Sequence, residues 1–379
     1  MADIFDYMNW RGDIGIDRDG FNEVDNLILS AFSYVPLEGV VPGGHGGGVT
    51  IAEAARKFAE NRAMWKLLRM PQDKRLFEEV GRCPRFAKLP LHYHANTVSA
   101  DEEKQFSAVA VELGDGSVFI SFRGTDNTLV GWKEDFNMSF MRRIPAQAAA
   151  VEYLEMVASG FGGSLRPLRP LRVGGHSKGG NLAVYASAFC SSPVQDRILE
   201  VYNNDGPWLH ADLSREPGYA AICGRIHAFI PQSSVIGMLL EHEGRYTVVR
   251  SNQFGLFQHD FCSWEVAGPR FVCLADVTNG SRFVDHTIKA WLAEWDEEQR
   301  AVFVDALFQI INATGVRTFQ EMGEKWYISA LSMLKSYIAL DNDMRKAIGR
   351  ALKLLLQAGG KTLPQITRPA AARKKKELR

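Results

Sequence analysis

A serine between two glycines, Ser177, is the residue best suited to chemistry in this 379-residue chain. It lies in Gly175-His-Ser-Lys-Gly179, which fits the G-x-S-x-G pattern of a nucleophile elbow. In such an elbow the serine oxygen attacks a carbonyl carbon, and an acyl-enzyme forms that water then releases. The alternative interpretation is a glycine-rich turn from a strand into a helix, such as one that binds phosphate.

The residues on either side of Ser177 predict the strand–turn–helix context that an elbow requires. Residues 171–174 read as a short apolar strand, and residues 181–189 as a helix with apolar side chains along one side. The N–H groups at the start of a helix have no partner within the helix and favour an oxyanion. We therefore expect the N–H of Lys178 to be one of two oxyanion donors.

A second motif, Phe122-Arg-Gly-Thr125, is positioned to supply the other oxyanion donor. It ends the second strand of a predicted hairpin, in which residues 106–113 and 117–122 flank the turn Gly114-Asp-Gly116. An elbow needs a loop from an upstream strand that brings a second N–H to the oxyanion. We expect Thr125 to fill this role, with its backbone N–H and also its hydroxyl.

These two motifs resemble those of the class 3 (fungal-type) lipases. In that family Arg-Gly-Ser/Thr carries the oxyanion hole, Trp-x-x-Asp follows, as in Gly131-Trp-Lys-Glu-Asp135 here, and Gly-His-Ser-x-Gly-Gly carries the nucleophile. The resemblance covers roughly residues 105–265. It implies an α/β-hydrolase fold and a lipase-like reaction.

The whole chain is similar to an uncharacterised bacterial lipase-like family, known mainly as a domain of unknown function. The shared features are the Asp-Tyr-x-x-Trp-Arg-Gly-Asp start at Asp6–Asp13, Tyr-Asn-Asn-Asp-Gly-Pro and Gln-His-Asp. This second resemblance implies a fold and a reaction class, but no substrate.

The order Ser, then acid, then His in α/β-hydrolases restricts the choice of catalytic base. His259 follows the last predicted strand, residues 246–249, in a loop that can return over the elbow. We expect His259 to be the base. His242, at the end of a predicted helix over residues 235–240, and His286, beside Asp285, are the alternatives.

The acid is Asp205 in this interpretation, because it ends the predicted strand 198–202 at the carboxyl edge of the sheet. Class 3 lipases place an Asp after the strand that corresponds to residues 226–230, where this chain reads Pro-Gln-Ser-Ser and has no carboxylate. An Asp-Gly turn without catalysis is the competing role of Asp205. A dyad assisted by Ser233 or Ser234 also stays open, whereas Asp260 is adjacent to His259 and should point away from it.

Alternating strands and helical segments predict an α/β fold, here an α/β-hydrolase fold with a mostly parallel central sheet flanked by helices. We expect four parts: a helical N-terminal lead-in (1–85), the hydrolase core (86–283), a C-terminal helical region (284–365) and a basic disordered tail (366–379). In the lead-in, Thr50-Ile-Ala-Glu53 predicts a capping box. The C-terminal helices are candidates for a lid or an acyl pocket. Gly43-Gly-His-Gly-Gly-Gly48 is interpreted as a flexible loop, because no strand pair precedes it.

Charge and cysteine content exclude several classes of function. Lys+Arg and Asp+Glu are equal at 44 each, so no overall field attracts nucleic acid. The five cysteines are widely spaced and lack a C-x-x-C pair, which favours a reducing cytoplasm over a disulfide framework or a zinc site. We expect neither a signal peptide nor a transmembrane segment, although the basic tail leaves peripheral membrane contact open.

Together these features predict a cytoplasmic serine hydrolase that cleaves a carboxylic ester of a small molecule or lipid and needs no metal or organic cofactor. A thioesterase or a peptidase would use the same Ser177, His259 and Asp205. A non-catalytic binding or scaffold protein on a hydrolase fold is the alternative from another class, and the missing carboxylate after residue 230 favours it.

Overall fold

The protein is described by a computed structural model that covers residues 1–44, 48–65, 68, 70–161, 168–210, 212–240, 246–293, 295–315, 318, 326–340, 342, 345–346, 348–350 and 353. His45, His242 and the basic tail lie outside the described residues. The chain divides into two compact units. One comprises Met1–Asp126 and Pro145–Asp276, and the other Asn127–Ile144 and Val277–Arg379. The four-part division made from the sequence stays a prediction.

The first unit is built on a mixed β-sheet, with short strands at its margins. The strands are β1 (Val49–Thr50), β2 (Pro90–Ser99), β3 (Lys104–Glu112), β4 (Val118–Phe122), β5 (Leu171–His176), β6 (Ile198–Asn204), β7 (Ile226–Pro231), β8 (Tyr246–Val249), β9 (Val266–Ala267), β10 (Arg270–Phe271) and β11 (Cys273–Leu274). Within the described ranges the main sheet has the order β1-β2-β3-β4-β5-β6-β7-β8-β11, and β9 pairs with β10. Strands β4 to β8 are parallel, whereas the flanking pairs are antiparallel.

Helices of the first unit surround this sheet. They are α1 (Ile4–Arg11), α2 (Glu23–Phe32), α3 (Ile51–Glu60), α4 (Arg62–Trp65), α5 (Pro71–Arg82), α6 (Pro84–Ala87), α8 (Pro145–Gly160), α9 (Lys178–Phe189), α10 (Ser192–Gln195) and α11 (Pro217–Ile222); α7 belongs to the second unit. A Cβ at Gly174 would lie 2.9 Å from Asn26 Oδ1 of α2, and one at Gly175 would lie 2.3 Å from the Gly179 carbonyl carbon of α9. Because successive strand residues point to opposite faces, α2 and α9 cover opposite faces of β5. The predicted α/β fold class is confirmed.

The sequence pattern does not predict a strand over residues 90–99, which form β2. Only its first part is buried, and its pairing with β3 shifts register between His92 and Ala95. Tyr93 has a positive φ of 54° at this irregularity. The bulge interrupts the alternation of apolar and polar residues by which a strand is recognised in sequence.

A buried ion pair anchors the helical N-terminal segment. Arg85 Nε donates to Asp25 Oδ1 at 2.7 Å, and the Tyr7 hydroxyl donates to the same oxygen at 2.9 Å. Both side chains of the ion pair are completely buried. Burial raises the pKa of Asp25, and the hydrogen bonds from Arg85 oppose this shift. Together these contacts tie α1 and α2 to the segment that leads into the sheet.

The predicted capping box at Thr50 forms only in part. The Thr50 hydroxyl accepts a hydrogen bond from Glu53 N at 3.2 Å and caps α3. The Glu53 carboxylate, however, lies 3.5 Å from Lys57 Nζ, one turn further along the helix. The ion pair one turn along has replaced the reciprocal half of the box.

The second unit contains α7 (Leu129–Asn137), α12 (Asn279–Ala293), α13 (Glu297–Asn312) and α14 (Trp326–Ala339). Its α7 packs on α13, where the rings of Phe136 and Phe308 are 5.8 Å apart and Lys133 Nζ lies 2.8 Å from Asp305 Oδ1. The sequence did not indicate that residues 127–144 belong with the C-terminal helices. A search of the described residues finds no helix long and apolar enough to cross a bilayer.

Candidate active site

Ser177 occupies the turn between β5 and α9 in a strained backbone conformation, with φ 59° and ψ −136°. Such a positive φ is costly for a residue with a Cβ and is characteristic of functional sites. A Cβ at Gly179 would lie 2.1 Å from the Phe122 carbonyl oxygen, so only glycine fits there. The two glycines of the motif thus allow strand and helix to approach closely enough for the tight turn at Ser177.

The segment after β4 passes directly beside this turn. A Cβ at Gly124 would lie 3.0 Å from Ser177 Cβ and 2.5 Å from the His176 carbonyl oxygen. Thr125, the next residue, is buried. Lys178 begins α9 on the other side of Ser177, and its buried Nζ points away to β3, where it donates to Gln105 O and Oε1 at 3.0 and 2.9 Å. The structure therefore places Gly124, the residue before Thr125, beside Ser177, and Lys178 follows Ser177 in the chain.

Asp205 and His259 form a direct hydrogen bond, with 2.7 Å between His259 Nδ1 and Asp205 Oδ2. The carboxylate is 1 % exposed and the imidazole 23 %. The other oxygen of Asp205 accepts hydrogen bonds from Ser234 Oγ at 2.5 Å and from Gly237 N at 3.1 Å. Because a buried carboxylate needs such donors, these hydrogen bonds hold Asp205 with its other oxygen directed at the imidazole.

Strand pairing places Asp205 beside Ser177. His176 of β5 pairs with Asn204 of β6, and Ser177 N donates to the Asn204 carbonyl oxygen at 3.0 Å. Ser177 and Asp205 are thus the residues that directly follow the carboxyl ends of two adjacent parallel strands, β5 and β6. Asp205 also has a positive φ of 52°, so it is both a turn residue and the partner of His259.

Neighbours of His259 fix the loop that carries it. Gln258 Oε1 accepts a hydrogen bond from Ser233 N at 2.7 Å, and the Gln258 carbonyl accepts one from Trp264 Nε1 at 3.0 Å. Asp260 points elsewhere: its carboxylate accepts from Gln72 Nε2 at 3.0 Å and from Cys262 N at 3.1 Å. The three residues of the Gln-His-Asp motif therefore make three separate attachments, and Asp260 does not face His259.

The structure does not bring Ser177 and His259 into hydrogen-bond contact. Among the described residues, the Ser177 hydroxyl forms no hydrogen bond. In unliganded hydrolases the bond between nucleophile and base is often long and tightens when substrate binds. The Asp205–His259 pair is formed, whereas the link from His259 to Ser177 is open.

The other histidines lie in different settings. His286 is part of α12 in the second unit, and His227 of β7 is exposed and stacks on Tyr202 with ring centroids 5.1 Å apart. The helix predicted at 235–240 does not form; these residues are turns, held by Gly237 and Ser234 around Asp205.

Sequence reasoning missed several residues around this pair. The sequence suggests Ser234 only as support for a dyad and indicates no role for Gly237, Gln258 or Tyr34. Gln258 carried a signal, since it stands beside His259 in the Gln-His-Asp motif. Tyr34 carried none, because it is separated from His176 by 142 residues.

Neither a metal cluster nor a disulfide is part of the described site. No group of three or more His, Cys, Asp or Glu side chains that could hold a metal ion occurs in the part of the chain that the structure describes. All five cysteines are described, and each is a free thiol.

Fold and site together define a class: an α/β protein in which a strained serine joins a central strand to a helix, with a His–Asp pair at the same edge of the sheet. The chain belongs to the Mbeg1-like family, whose family model matches residues 80–309. A solved structure described as the crystal structure of M37 lipase is also similar, with 15 % identity, a TM-score of 0.31 and coverage of 56 % of this chain and 68 % of that chain. No curated protein matches this chain.

Proposed function

We propose that the protein is a serine hydrolase that cleaves a carboxylic ester through an acyl-enzyme on Ser177. The observation that carries this proposal is the 2.7 Å hydrogen bond between His259 and Asp205, whose strand ends beside that of Ser177. A buried carboxylate on Nδ1 leaves Nε2 of the same imidazole as the atom that can accept a proton.

In the proposed reaction, Ser177 Oγ attacks the ester carbonyl carbon while its proton moves to His259 Nε2. Asp205 accepts the Nδ1–H of His259, which fixes the tautomer and stabilises the imidazolium that forms. The backbone N–H groups of Thr125 and Lys178, together with the Thr125 hydroxyl, hold the oxyanion. The imidazolium then protonates the leaving alkoxide oxygen, and the alcohol departs. His259 Nε2 then takes a proton from a water molecule as its oxygen attacks the acyl carbon; the bond from that carbon to Ser177 Oγ breaks, the imidazolium returns the proton to Oγ, and the carboxylic acid leaves.

The substrate in this proposal is an ester of a small molecule or lipid, and no step requires a metal or an organic cofactor. A thioester or an amide would meet the same groups, so thioesterase and peptidase activity are variants of one mechanism. We propose the cytoplasm as the compartment, because five unpaired thiols are typical of a reducing environment.

A second function, binding without catalysis, is favoured by one observation: the Ser177 hydroxyl is not hydrogen-bonded to His259. A protein of this kind would keep the fold and bind a ligand or partner at the edge of the sheet. The two functions differ in whether Ser177 is an activated nucleophile.

Labelling with a fluorophosphonate probe separates them, because the probe phosphonylates only activated serines. We expect wild-type protein to be labelled and Ser177→Ala to be unlabelled. Ser191→Ala serves as the matched control, since Ser191 lies just past the opposite end of α9 from Ser177 and its hydroxyl donates to Glu155. Esters, thioesters and amides of graded acyl length then define the substrate class. Folded wild-type protein that is neither labelled nor active on any of these would exclude the hydrolase proposal and favour the binding function.

A further inference from the structure

A second histidine, His176, is fully buried and contacts the main chain of His259. Its Nε2 lies 2.8 Å from the His259 carbonyl oxygen. A carbonyl oxygen only accepts hydrogen bonds, so Nε2 of His176 carries the proton. The other ring nitrogen, Nδ1, lies 3.0 Å from the Tyr34 hydroxyl, which also lies 3.3 Å from the His176 carbonyl oxygen. These contacts hold the His176 ring at both of its nitrogen atoms.

The rings of His176 and His259 also lie against each other, with centroids 4.5 Å apart and planes inclined by 36°. His176 therefore contacts both the main chain and the ring of His259.

Tyr34 links this contact to the other side of the site. A Cβ at Gly124 would lie 2.1 Å from the Tyr34 hydroxyl, so the hydroxyl touches the segment that leads to Thr125. Tyr34 follows α2, and that helix is joined to the strand ends by the hydrogen bond from Asn26 Nδ2 to Asn204 Oδ1 at 2.9 Å. Tyr34 therefore connects the N-terminal segment both to His176, which contacts His259, and to the segment that leads to Thr125.

We propose that His176 is a positioning residue for His259 and that Tyr34 holds the His176 ring in place. This inference rests on the serine hydrolase function proposed above. Asp205 holds the imidazole of His259 at one atom, which leaves the ring free to move with its main chain. The hydrogen bond from His176 Nε2 to the His259 carbonyl oxygen fixes that main chain. Two attachments, one to the ring and one to the backbone, define where His259 Nε2 meets Ser177.

The test compares two substitutions of similar size. His176→Phe keeps a planar ring but removes the donor, whereas His176→Gln keeps an N–H donor at a similar reach. We expect His176→Phe to lower kcat on an ester substrate by about 100-fold, the size of effect that a displacement near 1 Å has, with KM little changed. His176→Gln should recover about tenfold of that loss. The exposed histidine His227, changed to Phe, is the matched control and should leave kcat unchanged.

Rates are normalised to folded protein by thermal melting, so a purely structural role would lower the melting temperature without lowering the rate per folded molecule. Equal normalised rates for His176→Phe and wild type would overturn the inference while leaving the hydrolase function intact. Inactivity of the wild type would instead reject the hydrolase function.

Proton NMR tests the positioning role without an activity assay, so it distinguishes failure of this inference from failure of the hydrolase function. The His259 Nδ1–H proton should give a downfield proton NMR signal that disappears in Asp205→Asn. In His176→Phe we expect this signal to broaden through faster exchange, and in His176→Gln to stay sharp. An unchanged signal in His176→Phe would contradict the positioning role, whether or not the protein is an enzyme.

Discussion

Ser234 donates a 2.5 Å hydrogen bond to Asp205, the carboxylate whose other oxygen faces His259. Ser234 follows β7, where the class 3 lipases that this chain resembles place their acid. Here the carboxylate that contacts His259 comes from the end of β6, and Ser234 after β7 is its hydrogen-bond donor. In the proposed reaction the acid would therefore lie one strand earlier than in those lipases and still contact the histidine.

Ser234→Ala removes this donor and leaves Gly237 N as the second donor to Asp205 Oδ1. A hydrogen bond to a charged group contributes about 1.5–3 kcal/mol, so Asp205 should become less well held. We expect kcat/KM on an ester to fall about tenfold or more, measured by steady-state kinetics. Ser214→Ala is the control, because Ser214 is another buried serine whose hydroxyl has no partner among the described residues. An equal loss in both variants would show that the effect is not specific to Asp205.

Asp205→Asn should lower kcat by about 10⁴-fold, because an amide can donate to Nδ1 and stabilise the wrong tautomer of His259. Asp260→Asn, one residue from His259, is the matched control. Its side chain contacts Gln72 and Cys262 N, and asparagine caps a helical turn as well as aspartate does. Activity of Asp260→Asn should stay near that of wild type. A larger loss in Asp260→Asn than in Asp205→Asn would reverse the acid assignment.

Thr125→Val keeps the backbone N–H of this residue and removes its hydroxyl. Loss of one oxyanion donor typically lowers kcat by about 10²–10³-fold. We expect a loss of this size with little change in KM if both groups act as proposed, and Thr125→Ser should retain most of the activity. The measurement is kcat and KM for each variant on the same ester. Wild-type kcat in Thr125→Val would restrict the role of Thr125 to its backbone.

Gly179→Ala should destabilise the elbow, because the new Cβ would lie 2.1 Å from the Phe122 carbonyl oxygen, a backbone atom that cannot rotate away. Overpacking of this kind costs about 1–3 kcal/mol of unfolding free energy, or more where backbone must shift. Gly20→Ala is the control, since nothing lies within 4 Å of its Cβ position. Denaturant unfolding of both variants measures the difference. Equal stability of Gly179→Ala and wild type would show that the close approach at the elbow can relax.

The part of the site that sequence predicts is the part set by local pattern. Gly175 to Gly179 specify their own turn, because glycines flank a serine between a strand and a helix. His259 and Asp205 follow from chain order and from the ends of predicted strands, and the structure places them 2.7 Å apart. Their catalytic roles remain proposals that the variants above would test.

The parts that sequence did not predict depend on contacts between distant segments. Tyr34 lies in a loop with no motif, and only the folded chain brings it to His176. Strand β2 contains a bulge at Tyr93 that disrupts its pattern. Residues 127–144 join the C-terminal helices through contacts such as that of Phe136 with Phe308, which no local pattern reveals.

Breaking the buried ion pair of Asp25 and Arg85 should strongly lower the free energy of unfolding, although neither residue belongs to the proposed active site. Asp25→Asn leaves the guanidinium of Arg85 buried without its counter-charge, and breaking such a pair costs about 3–5 kcal/mol. Glu60→Gln removes one partner of an exposed pair with Arg56 and should cost about 1 kcal/mol or less. Urea unfolding of each variant measures these losses.

A double variant, Asp25→Leu with Arg85→Met, distinguishes the loss of a partner from the loss of packing. Replacing both charges of a buried pair with apolar side chains is often neutral for stability, so the double variant should be more stable than Asp25→Asn. Because α2 leads to Tyr34, the double variant should also be labelled by the fluorophosphonate probe more strongly than Asp25→Asn. A double variant less stable than Asp25→Asn would show that the hydrogen bonds of Arg85 to Ile14 O and Gly20 O, and not the charge pair, hold the N-terminal segment in place.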